Sequence, residues 1–135
     1  MPQSLRVLIA DDEPEILLYY RAVLARLGHT VLAEAHNGHE FVEQCRELEP
    51  DLVISDIAMP GVDGITALER VRTRSMTPFI FVTGNDNSEI RQRAQHQQVV
   101  AYLLKPIRQT DLATVLSRFY QETKKPPTLR WLRDW

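Results

Sequence analysis

Five short apolar runs alternate with five longer amphipathic segments, and that alternation sets the fold class. "LRVLIA" (5–10), "HTVLAEA" (29–35), "DLVIS" (51–55), "PFIFVT" (78–83) and "VVAYLL" (99–104) have the length and composition of strands. The segments between them repeat apolar residues at helical spacing. In the first, Pro14 is placed to open a helix and Gly28 to end it, and Ile16, Tyr20, Val23, Leu24 and Leu27 share a face. The second turns Phe41, Val42, Cys45 and Leu48 inward, with Pro50 beyond its end. The third offers Ile65, Leu68 and Val71, and the fifth Leu112, Val115, Leu116 and Phe119. The fourth, "NSEIRQRAQHQQ", has only Ile90 and Ala94 as apolar anchors. Strands alternating with helices require a parallel sheet with right-handed crossovers. The first, third, fourth and fifth strands read as apolar on both faces, so helices should cover both sides of the sheet. The fold class is an open, doubly wound α/β sheet of five strands. In such a sheet the functional crevice lies beyond the C-terminal ends of the strands.

A chain of 135 residues with 44% hydrophobic content is long enough for one domain with a real core. No apolar run reaches the ~18 residues of a membrane span, and no signal-peptide pattern opens the chain. The single cysteine, Cys45, excludes an internal disulfide and reads as packing. A cytoplasmic location is the corresponding expectation. Charge is unevenly spread. Residues 1–64 carry a net −8 and residues 65–135 a net +6, which would suit a cation site in the first half and an anion or partner surface in the second. The segment 122–135 contains Pro126-Pro127, Trp131 and Trp135 and is basic. It reads as a tail, either a docking segment or the start of a linker, after a domain spanning 4–121.

Polar residues follow the apolar runs directly. Asp11 and Asp12 follow the first, Asp56 the third, Thr83 ends the fourth, and Lys105 precedes Pro106 after the fifth. The fold would bring all five together. Three carboxylates so close must share protons, shift their pKa values or bind a cation. Oxygen-only ligands favour Mg²⁺ over zinc. A hydroxyl and an ammonium add donors for a multi-oxygen anion. Together these groups make a site for phosphoryl transfer, in which an aspartate can be the nucleophile. Taken singly, Asp11 or Asp12 is also a natural helix N-cap before Pro14. His36 and His39 have ligand-like spacing but no third ligand in view, and Gly61 and Gly64 read as turn residues.

"LIADDEPE", "PDLVISDIAMPGVDG", "TPFIFVTG" and "YLLKPI" give the chain a clear likeness. It resembles the receiver domain of bacterial two-component response regulators, including the chemotaxis regulators, over about residues 4–121. The spacings agree as well: 44 residues from Asp12 to Asp56, 27 more to Thr83 and 22 more to Lys105. The resemblance implies flavodoxin-like strand order 2-1-3-4-5. It implies that a sensor histidine kinase phosphorylates Asp56 in a phosphorelay. Asp12, Asp56 and the Ala58 backbone carbonyl would bind Mg²⁺, with Asp11 acting through a metal-bound water. Lys105 would neutralise charge on Asp56 and then on the phosphoryl group. Thr83 would turn its hydroxyl to a phosphoryl oxygen, and Tyr102 would follow as the rotating aromatic. The Lys105–Pro106 bond would be cis. Such a protein is a signalling switch that catalyses only its own phosphorylation and dephosphorylation.

The same resemblance implies an output protein or domain docking on the face formed by the fourth helix, fifth strand and fifth helix. The net charge of −2 gives no case for direct nucleic-acid binding, no membrane contact is expected from the apolar runs, and a phosphorylation-dependent homodimer stays open. Ala58 and Asn85, two residues after Asp56 and Thr83, are small and neutral where members of the family often carry larger or charged groups. Gln98 stands where a glycine commonly ends the fourth helix, and Val100-Ala101 where the winged-helix branch has an acidic pair. Two other readings compete. One is an Asp-nucleophile phosphohydrolase, which would need a carboxylate at Ala58. The other is a receiver-like interaction module that is not phosphorylated, against which the intact set of Asp12, Asp56, Thr83 and Lys105 argues.

Overall fold

Each apolar run becomes a strand and each amphipathic segment a helix. The computed structural model describes residues 4–122. Its strands are β1 (Arg6–Ala10), β2 (Thr30–Ala35), β3 (Leu52–Ser55), β4 (Phe79–Thr83) and β5 (Ala101–Leu104). They alternate with α1 (Pro14–Arg26), α2 (Gly38–Leu48), α3 (Gly64–Arg72), α4 (Ser88–His96) and α5 (Gln109–Glu122). All strand pairs are parallel, in the order β2-β1-β3-β4-β5. This is the flavodoxin-like, doubly wound order expected from the sequence. Among the described residues no helix is long and apolar enough to cross a membrane. The expectation for the Trp-containing tail falls on residues that, Glu122 apart, lie outside those described.

The period of two along each strand divides the core. Leu8, Ala10, Val53, Phe79 and Phe81 face α2, α3 and α4, packing with Phe41, Cys45, Ile65, Leu68 and Ala94. Val7, Ile9, Leu52, Ile54, Ile80 and Val82 face α1 and α5, packing with Tyr20, Leu24, Leu112 and Phe119. Cys45 is packing, as expected, and burial pushes its thiol up to about 12.

Three details differ from the sequence reading. β5 is covered only partly: Tyr102 packs against the core on one face and Ala101 and Leu103 on the other, but all three are half-buried and Leu104 is 47% exposed. It is the last strand of the sheet, so among the described residues no strand pairs with its outer edge. The buried stripe of α1 runs through Leu17, Tyr20 and Leu24, while Ile16 and Leu27 lie at its margins. Gly64 is not a turn residue like Gly61, whose φ is +74°. It is the first residue of α3, and its lack of a Cβ serves close packing, described below.

Candidate functional site

The site is assembled by backbone bonds at the ends of the strands. The Asp11 amide donates to Ala35 O at 3.0 Å, at the top of β2. The Asp56 amide donates to Ala10 O at 2.9 Å, and the Lys105 amide to Thr83 O at 2.8 Å. Each residue therefore stands where its strand's ladder stops, on a backbone fixed by the neighbouring strand. Its side chain emerges at the C-terminal edge of the sheet, as the topology requires.

Gly64 holds this edge together. Its amide donates to Ile57 O at 2.7 Å, drawing the start of α3 against the loop after β3. A Cβ at Gly64 would lie 2.2 Å from the Asp56 carbonyl oxygen and 2.9 Å from Ile57 Cα. Only glycine permits this approach. Asp63 caps α3 by accepting from the Thr66 amide at 2.7 Å.

Lys105 is the electrostatic centre. Its Nζ lies 2.9 Å from Asp11 Oδ2 and 3.0 Å from Asp56 Oδ2, with Glu13 Oε2 at 3.6 Å. Asp56 Oδ1 accepts from the amides of Ile57 (2.7 Å) and Ala58 (3.3 Å). Asp11 Oδ1 accepts from the Glu13 amide at 2.9 Å. Neither Asp11 nor Asp12 is the N-cap of α1; that position falls to Glu13, which makes no side-chain cap.

Asp11, Asp56 and Thr83 are buried, and Asp12 is exposed. Burial raises the Asp11 carboxyl above its ordinary range. The Glu13 amide and Lys105 oppose that rise, and the Asp56 charge adds to it. Burial alone would pull Lys105 down, but its bonds to Asp11 and Asp56 outweigh that and hold it above its usual value. The Tyr20 hydroxyl, buried on α1, is pushed up by burial and further by the charges of Asp11 and Asp56.

Asp11, Asp12 and Asp56 each offer a carboxylate oxygen within 4.8 Å of one another. This donor set, entirely oxygen and strongly anionic, fits a hard divalent cation such as Mg²⁺. Thr83 Oγ1 accepts from the Asn85 amide at 3.1 Å, which ties the hydroxyl to the loop before α4. Tyr102, half-buried on β5, pairs in register with Phe81, two residues before Thr83. The structure thus joins Asp11, Asp56 and Lys105 in one contact network, with an Asp12 carboxylate oxygen within 4.8 Å of those of Asp11 and Asp56 and with Thr83 on the neighbouring strand end. The Lys105–Pro106 bond is cis, as expected. A cleft of about 860 Å³ opens at the opposite end of the sheet, between the C-terminal ends of α2 and α3, and no site residue lines it.

Sequence reasoning missed three features here. Lys105 pairs with Asp11 as closely as with Asp56. Glu13 adds a carboxylate at the mouth of the site, signalled only by its place in "DDEPE". The close approach at Gly64 had no local signal, because it depends on where α3 packs.

The model of the response regulator receiver domain matches residues 7–117. The chain belongs to this family. Among curated relatives, the receiver is 35% identical over 122 residues to the transcriptional regulatory protein PdtaR of Mycobacterium tuberculosis, covering 87% of this chain and 60% of PdtaR. The chain therefore spans about three fifths of that relative's length. Among solved structures, it superposes on the signal receiver domain of a modulated diguanylate cyclase from Desulfovibrio desulfuricans with a TM-score of 0.82 at 30% identity, covering 90% and 98% of the two chains. It also superposes on the isolated receiver domain of RcsB from Salmonella enterica, described in the presence of phosphomimetic BeF3−, with a TM-score of 0.80 at 26% identity, covering 88% and 90%. As a receiver domain this is a signalling module rather than a conventional enzyme, and its acidic pocket of Asp11, Asp12 and Asp56 suits phospho-acceptance.

Proposed function

We propose that residues 4–121 form a phospho-accepting switch whose nucleophile is Asp56, phosphorylated by a sensor histidine kinase. The observation that carries this reading is the placement of Lys105 Nζ, 3.0 Å from Asp56 Oδ2 beside the three-carboxylate cluster. An Asp56 oxygen attacks the phosphorus of a phosphohistidine. The P–N bond breaks, and the imidazole leaves with the electron pair and regains a proton from solvent. Asp12, Asp56 and the Ala58 carbonyl would hold Mg²⁺, with Asp11 reaching it through water. Bound there, Mg²⁺ would neutralise charge on the phosphoryl oxygens.

The chain's own residues supply the rest. The Ile57 and Ala58 amides fix the Asp56 carboxylate. Phosphorylation adds up to about two negative charges and three acceptor oxygens. Lys105 then transfers a hydrogen bond to the phosphoryl group, and the Thr83 hydroxyl donates to a second oxygen. Movement of Thr83 vacates space that Tyr102 fills, and a pre-existing equilibrium shifts. The output surface is the α4–β5–α5 face.

Incubation with Mg²⁺ and a small acyl phosphate, followed by intact-mass measurement, tests this. One phosphoryl group should be gained by the wild type and none by Asp56→Asn. A wild type that gains none, or a variant that gains it at the same rate, overturns the reading.

A further inference from the structure

Tyr102 is held through Arg91 and Asp86. The Arg91 guanidinium stacks over its ring, 4.8 Å from the centroid. Arg91 Nη2 pairs with Asp86 Oδ2 at 2.8 Å. Burial raises the Tyr102 hydroxyl to about 12, and the neighbouring Asp86 carboxylate adds to that rise. The three groups form a chain of contacts that joins the loop after β4, the first turn of α4 and strand β5. None of the three touches the acidic pocket.

We infer that Arg91 and Asp86 are positioning residues that latch Tyr102 in its present packing and so oppose the switch. The inference rests on the phospho-acceptor reading above. Asp86 follows Thr83 by three residues, and the Asn85 amide bonded to Thr83 Oγ1 lies between them. Movement of Thr83 therefore pulls on Asp86. Arg91 rides on α4, whose only fully buried side chain is Ala94, so the helix end can yield with the loop. For Tyr102 to leave, it must give up the guanidinium that Asp86 holds over its ring. The latch biases the equilibrium toward the resting packing. By reciprocity, a group that binds Asp56 and favours the other packing must bind more tightly when the latch is cut.

The test uses the full chain with Mg²⁺ and beryllium trifluoride, the phosphomimetic present in the RcsB structure. The apparent Kd is measured, and the Tyr102 ring resonance, assigned with Tyr102→Phe, is followed by NMR. Arg91→Ala and Asp86→Asn should each tighten beryllium trifluoride binding about two- to fivefold, the range of an exposed cation–π contact. In both, the Tyr102 resonance of the free protein should move toward its bound position. Arg91→Lys, which keeps the charge but loses the planar stack, should fall between. The double variant should gain less than the sum of the two, because both cut one latch. Variants that bind with wild-type affinity and leave the Tyr102 resonance in place overturn the latch while the phospho-acceptor reading stands. A wild type that fails to bind overturns both.

Discussion

Lys105 Nζ sits 3.0 Å from Asp56 Oδ2 and within the same radius of the fully buried Asp11, so one ammonium serves two carboxylates. Removing the lysine leaves both anions buried without a cation. Breaking such a pair costs about 3 kcal/mol or more. Lys105→Met should lose about 3 kcal/mol of stability at pH 7 in urea unfolding without Mg²⁺. The loss should shrink toward pH 4, as Asp11, whose carboxyl is raised chiefly by burial, takes up a proton. A loss that stays the same at both pH values would contradict the charge argument.

Asp11 should itself destabilise the metal-free protein at neutral pH. Its folded pKa is raised, chiefly by burial, so the native state binds a proton more tightly than the unfolded chain. For a raised carboxyl, stability falls as pH climbs from the unfolded value of 3.8 through the folded one and stays lower above it. Asp11→Asn keeps the acceptor for the Glu13 amide but cannot ionise. In EDTA it should melt higher than the wild type at pH 7, and the gain should vanish below the unfolded pKa. In Mg²⁺ the order should narrow or reverse, since bound cation stabilises the wild type by mass action. Thermal melts in both buffers across this range decide it.

Gly64→Ala should damage the site without touching a charged group. The added Cβ meets the Asp56 carbonyl oxygen at 2.2 Å, and backbone cannot swing aside as a long side chain can. Overpacking of this kind costs about 1–3 kcal/mol. Because the atom displaced is the backbone of Asp56, phosphorylation by a small acyl phosphate should slow by more than the folded fraction accounts for. Gly61→Ala, in a turn with open space around its Cβ, should cost stability through its positive φ yet leave the rate per folded molecule unchanged. Equal effects of the two on that rate would refute the assignment.

The doubly wound sheet and the convergence of Asp11, Asp12, Asp56 and Lys105 were legible because they follow from local periodicity plus one rule of α/β topology, whereas the strand order was legible only through the receiver resemblance. What was not legible depends on distance in space. The burial of Leu17 in place of Ile16 reflects the angle at which α1 meets the sheet, and helical spacing alone leaves that free by a residue. The exposure of Leu104 follows from β5 being an edge, which is set by strand order and not by its own sequence. Arg72 stacks on Phe79, donates to Gln97 O and Thr77 O, and is lowered by burial to about 10, yet in the sequence it is one arginine among several on an amphipathic helix. The clasp of Arg91 and Asp86 around Tyr102 joins three segments, and nothing in any one of them announces it.

Helix α4 should be the least stable of the five. Ala94 is its single fully buried side chain, whereas α1 buries Leu17, Tyr20, Val23 and Leu24. Its far end carries a second weakness. Gln98 takes φ +57°, a left-handed conformation that glycine adopts without cost and a side chain does not. The Asn87 cap, accepting from the Ile90 amide at 2.9 Å, secures only the first turn. Native-state hydrogen exchange should therefore show α4 amides exchanging through local opening, well below the global stability, while β3 amides exchange only on global unfolding. Gln98→Gly should relieve the left-handed strain, raise stability by about 0.5–1 kcal/mol, and slow exchange in the last turn of α4 more than elsewhere. Protection in α4 equal to that in β3 would show that the helix is anchored by something other than its buried face.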